Sequence, residues 1–381
     1  MNYNYNGSQD DMVKDLFEKI QNITSNILHP NIIVCGKTGV GKSTLINNVF
    51  RQNIAETGVG KPVTQHLRKI ESSEVPVTLY DTRGLELNAE VQNQIREEII
   101  DTVNCSRMLD KAENYIHAIW YCIQGGSNRL ETAEEEMIRT LATSVEVPVI
   151  IVITQCFPNK QSMAFKKSIE DMNLNVSGII CVMAEDYEIQ EGTVIKAYGL
   201  DKLVEITYEV LPESVQKGFI NAQKVSVNAK EKAAKKYANT YIGTAFATGF
   251  IPIPYSDAPV LVGNQIIMLA HITSIFGLSI DKAFLSTVVS TILGSGSATI
   301  AGKFVVSNLI KLIPGVGTLV GGVISGTTAA LLTASMARAY IKLMTMVVRS
   351  EYKGKRLENQ EVFENLNYLF NQELKKGERR V

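Results

Sequence analysis

Apolar positions along the first thirty residues recur at helical spacing. Val13, Leu16, Ile20, Ile23 and Ile27 fall on one face and predict an amphipathic helix over 11–28. From there to residue 211 the pattern alternates between two kinds of segment. Short, mostly apolar runs at 32–35, 76–80, 115–123, 147–153 and 178–185 read as buried strands. Between and after them come helical patterns, one through Leu45, Ile46, Val49 and Phe50, then 130–144 and 200–211. Beyond Pro212 strands disappear. A stretch at 227–250 begins basic and turns apolar, apolar stretches follow at 251–277, 284–302 and 312–337, and a charged amphipathic segment covers the final thirty residues. Three parts result: an N-terminal helix (1–30), an α/β domain (31–211) and an all-α apolar domain (213–381).

Composition narrows the picture modestly. The 381 residues carry a net charge of −1, which implies no chain-wide attraction to nucleic acid. Cysteines at 35, 105, 122, 156 and 181 are odd in number, widely spaced and away from the four histidines. Neither a disulfide framework nor a zinc site is expected, and a reducing cytosol fits best. Cys35, Cys122 and Cys181 each fall in an apolar strand and read as core thiols. The segment MNYNYNGSQDDMVK lacks the basic flank and apolar core of a signal peptide.

The first strand runs into G-x-x-x-x-G-K-S, Gly36 to Ser43, with Thr44 and a helix behind it. Glycines let the backbone turn tightly enough for its N–H groups and the helix N-terminus to face phosphate oxygens. The loop residues Gly36, Lys37, Thr38, Gly39, Val40 and Gly41 are therefore candidate phosphate binders. Lys42 supplies charge to the β- and γ-phosphates, and the Ser43 hydroxyl suits Mg²⁺. The strand at 76–80 ends in Asp81-Thr82-Arg83-Gly84. Asp81 can hold Mg²⁺ through water, and the Gly84 N–H can meet the γ-phosphate. Thr64, in the loop between these motifs, can close on Mg²⁺ when a third phosphate is present.

By GKTGVGKST, GKPVTQ and DTRGLE, residues 31–211 resemble the Era-like branch of P-loop GTPases. The resemblance implies a doubly wound, mostly parallel sheet with helices on both faces and the site at the strands' C-terminal ends. It implies GTP and GDP with Mg²⁺ as ligands, and places Lys37 on the loop's exposed side. Two departures matter. Leu85 stands where Ras-like enzymes place a catalytic glutamine, which fits the Era-like branch and implies slow intrinsic turnover. Arg129 is either a transition-state cation or a solvated loop residue. The base-reading Asn/Thr-Lys-x-Asp is here Thr154-Gln155-Cys156-Phe157, so the carboxylate that would accept from the guanine edge is missing. Thr154, Gln155 and the backbone at Ala184 remain for base contact.

The helical half resembles, around Pro252-Ile-Pro-x-x-Asp257-Ala258, an uncharacterised apolar domain appended to some bacterial GTPases. More loosely, the whole arrangement resembles immunity-related and dynamin-like GTPases. Residues 312–337 carry no charge and set Gly317, Gly321, Ser325 and Ala329 on one ridge, with Gly322, Gly326, Ala330 and Ala334 on the next. Such ridges suit a membrane helix pair or a dense soluble bundle alike. Basic residues on both flanks favour an even number of crossings, while Lys303 and Lys311 oppose a simple two-pass hairpin. The expected function is a cytosol-facing, GTP-hydrolysing switch coupled to this half, with membrane association and nucleotide-dependent homodimerisation as expected partner arrangements and no specific nucleic acid. Two alternatives stay open: a nucleotide-binding scaffold with negligible hydrolysis, and a P-loop ATPase.

Overall fold

The computed structural model describes residues 9–50, 54–57, 59–83, 85, 89–109, 111–127, 129–248, 257–278, 280–293 and 326–378. They form two compact units, one of residues 27–229 and one combining 1–26 with 230–381.

The first unit is built on a seven-stranded sheet in the order β2-β3-β4-β1-β5-β6-β7. These strands are β1 (Asn31–Cys35), β2 (Val59–Pro62), β3 (Leu67–Glu71), β4 (Thr78–Thr82), β5 (Ile116–Gln124), β6 (Val149–Thr154) and β7 (Gly178–Cys181). β4, β1, β5, β6 and β7 run parallel; β2 and β3 are antiparallel additions at one edge. The central strands β1 and β6 are buried at every position, as expected where helices cover both sheet faces. Along β5 the faces alternate. Ile119, Tyr121 and Ile123 join Ile33, Ile95, Ile138 and Phe165 in one core layer. On the other face Trp120 stacks on Phe50 at 6.0 Å and donates from Nε1 to Thr207 Oγ1 at 3.1 Å.

Helices α2 (Lys42–Val49), α4 (Ala89–Arg107), α5 (Thr132–Ser144), α6 (Lys160–Asp171) and α7 (Leu200–Val210) connect or follow these strands; α3 (Ile54–Thr57) is a single short turn. Local chemistry starts two of them. Glu131 and Glu134 form a capping box on α5, and the Asn159 side chain accepts from Ser162 N at 2.9 Å ahead of α6. A hairpin of β8 (Tyr187–Gln190) and β9 (Thr193–Ile195) follows β7.

The division between units differs from the expected break at Pro212. Helix α8 (Glu213–Ala222) stays with the sheet because Phe219 packs edge-on against Phe50, centroids 6.2 Å apart, and Lys224 N donates to Val49 O at 2.8 Å. The boundary falls instead in the first turn of α9 (Val227–Thr248). The N-terminal helix α1 (Gln9–Ser25) belongs to the second unit, packing on α10 (Asp257–Phe276) and α11 (Lys282–Leu293). That unit continues with α12 (Gly326–Glu351) and α13 (Asn359–Glu378), joined by a 2.6 Å Lys342–Glu373 ion pair. Thr273 on α10 shares a 2.7 Å hydrogen bond with Tyr340 on α12.

Residues 312–325, with Gly317, Gly321, Gly322 and Ser325, lie outside the described residues, as do Lys303, Lys311 and the proline element at 252–256. From Gly326 the run continues as α12. Its segment Ala329–Glu351 is, among the described residues, the one helix long and apolar enough to cross a membrane, with a mean hydropathy of 1.3 and 78% of that window buried.

Candidate nucleotide site

The sheet's C-terminal edge gathers most of the sequence candidates. β1 delivers the chain into the glycine loop with Gly36 at φ 145°, where an added Cβ would lie 2.4 Å from the Cys122 carbonyl oxygen on β5. Only glycine lets the loop pass this close to the neighbouring strand. Gly41 takes a left-handed conformation (φ 90°) as the N-cap of α2, which starts at Lys42. No side chain caps that helix end, so the first-turn N–H groups are available to an anion. Thr38, Gly39 and Ser43 are exposed, Thr44 is half-buried, and Val40 is buried as the loop's anchor.

Lys42 lies across the loop. Its ammonium donates to Gly36 O at 2.7 Å and Lys37 O at 3.0 Å. Lys37 departs from the expected exposed position. It is three-quarters buried and pairs with Glu131 at 2.7 Å and Glu134 at 3.6 Å, on the capping box of α5. The two carboxylates that start α5 crowd one point, and Lys37 relieves their repulsion.

Asp81 occupies the end of β4, beside Val34 in register. Its Oδ1 is buried and, among the described residues, has no hydrogen-bond partner. Burial pushes its carboxyl above the usual range, while Lys42, Arg83 and Arg68 pull it back down. A buried acceptor oxygen left open beside a lysine at a strand end fits a divalent cation, so the residues present suit Mg²⁺. Gly84 lies outside the described residues. Leu85 is buried in the core, 3% exposed.

Thr64 is held elsewhere. Its hydroxyl donates to Glu98 on α4 and accepts from Leu67 N at 3.0 Å. The same carboxylate accepts from His66 N at 3.1 Å and lies 2.9 Å from His66 Nδ1. Burial raises the Glu98 carboxyl, but the hydrogen bonds from Thr64 and His66 outweigh it and lower the pKa overall. Arg129 is exposed in the loop between β5 and α5.

At the other end of the glycine loop a cavity of about 380 Å³ opens, lined by Gly41, Thr44, Gln124, Thr154, Gln155, Phe157, Met183, Ala184, Glu185 and Tyr187. Thr154 faces inward and its hydroxyl bonds Val40 O and Ile123 O, tying the end of β6 to the loop. Gln155 adopts φ 47°, which turns its side chain over the loop to donate to Gly39 O at 3.3 Å and accept from Gln124 Nε2 at 2.8 Å. Phe157 meets Tyr187 edge-on at 5.2 Å, making one aromatic wall. Thr154, Gln155 and Ala184 thus meet in one place, as their separate motifs predict. Sequence reading missed Glu98, Glu131, Glu134 and Glu185. The last adjoins Ala184 in the same short motif, and the two before it form a recognisable capping box.

Of the strand thiols, Cys35 and Cys122 are fully buried, and burial pushes Cys122 up to about 12, so it is unreactive packing. Cys181 is only half-buried.

A strand, a glycine loop and a helix opening a mostly parallel sheet, with an aspartate at the end of the adjacent strand, define a P-loop nucleotide-binding domain. Residues 31–155 match the family model described as 50S ribosome-binding GTPase. Over these residues the chain is therefore similar to P-loop GTPases of that family.

Among curated relatives, Magnetosome membrane protein 22 of Magnetospirillum gryphiswaldense is 26% identical over 113 residues, covering 30% of this chain and 58% of that one. Neuronal-specific septin-3 of Danio rerio is 20% identical, covering 42% and 50% respectively, and human Septin-12 is 22% identical, covering 37% and 45%. The chain spans about half the length of these relatives. Among solved structures, Era in complex with MgGDPNP and nucleotides 1506–1542 of 16S ribosomal RNA shares 18% identity at a TM-score of 0.34, covering 49% of this chain and 58% of that one. A probable GTP-binding protein engB shares 18% at 0.31, covering 47% and 97%.

Proposed function

We propose that this protein is a GTP-hydrolysing switch of the cytoplasm, binding GTP and GDP with Mg²⁺, whose nucleotide state is coupled to its helical unit at a membrane face. The observation that carries the nucleotide reading is the open Oδ1 of Asp81 beside Lys42, on a glycine loop that shares Gly41 with the base-sized cavity. Lys42 exchanges its two loop carbonyls for β- and γ-phosphate oxygens. Backbone N–H groups from Gly39 to Thr44 take the remaining phosphate oxygens, and Gly84 N–H meets the γ-phosphate. Ser43, Asp81 and Thr64 would hold Mg²⁺, which would supply charge neutralisation at the phosphates. For Thr64 that role requires leaving Glu98, so its position reports the nucleotide state.

Buried Leu85 has no polar group with which to orient the attacking water, and slow intrinsic hydrolysis follows. The same residue favours the second reading, an assembly protein with negligible turnover whose site only stabilises a homodimer. Hydrolysis rates measured across protein concentration separate the two: a rate rising with self-association supports the switch, and no turnover at any concentration supports the scaffold. In competition titrations GTP is expected to displace ATP, by less than in a family member that keeps the aspartate. ATP winning that competition would end the GTPase reading.

Support for the membrane part is the uncharged run 312–337 and the apolar span within α12. The full chain is expected to float with liposomes and residues 27–229 alone to stay in the soluble fraction. A monodisperse full chain that ignores liposomes with both GDP and GTP bound would overturn this part alone.

A further inference from the structure

The base cavity holds a carboxylate, although not at the expected position. Phe157 stands where the guanine-reading aspartate belongs, and its ring is committed to the edge-on contact with Tyr187 at 5.2 Å. Across the same cavity, one residue beyond Ala184, Glu185 is exposed and lines the space with Thr154 and Gln155. Among the described residues the Glu185 carboxylate has no hydrogen-bond or ion-pair partner, unlike Gln155 and Gln124, which bond each other.

A free carboxylate in a cavity walled by aromatic rings accepts hydrogen bonds and cannot donate them. Guanine offers two adjacent donors on one edge, N1–H and the N2 amine. Adenine has there only a C2–H and a bare N1, whose lone pair a carboxylate repels; its amine lies on the far side, at position 6. We propose that Glu185 is the specificity residue of this site, accepting from guanine N1–H and N2–H in place of the absent aspartate. Phe157 and Tyr187 supply an apolar wall for the base instead. This rests on the guanine-nucleotide reading above and extends it by moving base selection from the strand β6 loop to the loop after β7.

The test is calorimetric titration of the full chain and its Glu185→Gln and Glu185→Ala variants with GDP, ADP and xanthosine diphosphate. Wild type is expected to prefer GDP. Losing the bidentate pair in either variant lowers GDP affinity by about 10- to 100-fold. Xanthine carries an acceptor where guanine has its amine, so the amide of Glu185→Gln can donate to it. That variant therefore narrows or reverses the preference for GDP over xanthosine diphosphate, and Glu185→Ala does not. An exposed, unpartnered side chain leaves thermal stability unchanged, which melting by circular dichroism checks. If wild type prefers GDP while both variants bind it within twofold of wild type, Glu185 is not the reader and the guanine assignment survives. If wild type shows no preference for GDP over ADP, the guanine reading itself falls.

Discussion

Replacing Lys42 with alanine is expected to lower GTP affinity by at least about 100-fold, the loss of two charge-assisted contacts to phosphate. The structure makes the loss hard to compensate. Lys37 is the nearest loop cation by sequence, yet it is engaged by Glu131 and Glu134. Moving it would leave two carboxylates facing each other at the start of α5. Arg68 and Arg83 act on Asp81 from the β3–β4 side and do not lie in the loop. The variant should fold normally, since the contacts Lys42 makes are to loop carbonyls that water can serve. Calorimetry with GTP and Mg²⁺ is the measurement, and micromolar affinity retained by Lys42→Ala would remove the loop from the phosphate site.

The second large effect is on stability. Trp120 is the protein's single tryptophan and is fully buried on the β5 face opposite the main core layer. It stacks on Phe50 at the end of α2 and donates to Thr207 on α7, while Phe50 in turn holds Phe219 of α8. Trp120→Ala opens a large cavity in this chain of contacts and removes the donor from a buried threonine. A cost of about 3–5 kcal/mol is expected for the sheet-bearing unit, which lowers its urea midpoint by about 2 M. Circular dichroism must follow the transition, because the substitution removes the native fluorophore. A midpoint shift below about 0.5 M would mean that α7 and α8 are not held through this residue.

Much of the nucleotide unit was legible because its signals are local. Buried parallel strands read as short apolar runs, and four of the expected ones end within two residues of β1, β4, β5 and β6, while the fifth, 178–185, overruns β7 by four. The phosphate loop is a contiguous motif whose glycines are required by backbone geometry, as Gly36 against Cys122 shows. What escaped sequence reading is what depends on meeting across the fold. Thr64 and Glu98 are thirty-four positions apart, and Lys37 and Glu131 lie on separate loops. Neither pairing has a spacing to betray it. The place of α8 was missed for the same reason: Pro212 punctuates the sequence, but Phe219 finds Phe50 only in three dimensions. Lys37 shows the limit of carrying a pattern over by position, since one pair of acidic residues was enough to redirect it.

The helical unit is assembled from segments on both sides of the nucleotide unit, with α1 packing on α10 and α11. Roughly 230 residues of chain separate the end of α1 from the start of α10. During synthesis at about 5–20 residues per second, α1 waits on the order of tens of seconds before its partners leave the ribosome. Residues 27–229 can close on themselves during that interval. Meanwhile the apolar face of α1, with Val13 and Leu16 that end buried, has nothing of its own unit to cover it. The order of completion therefore departs from the order in the chain: the middle is finished first, and the beginning only together with the later helices.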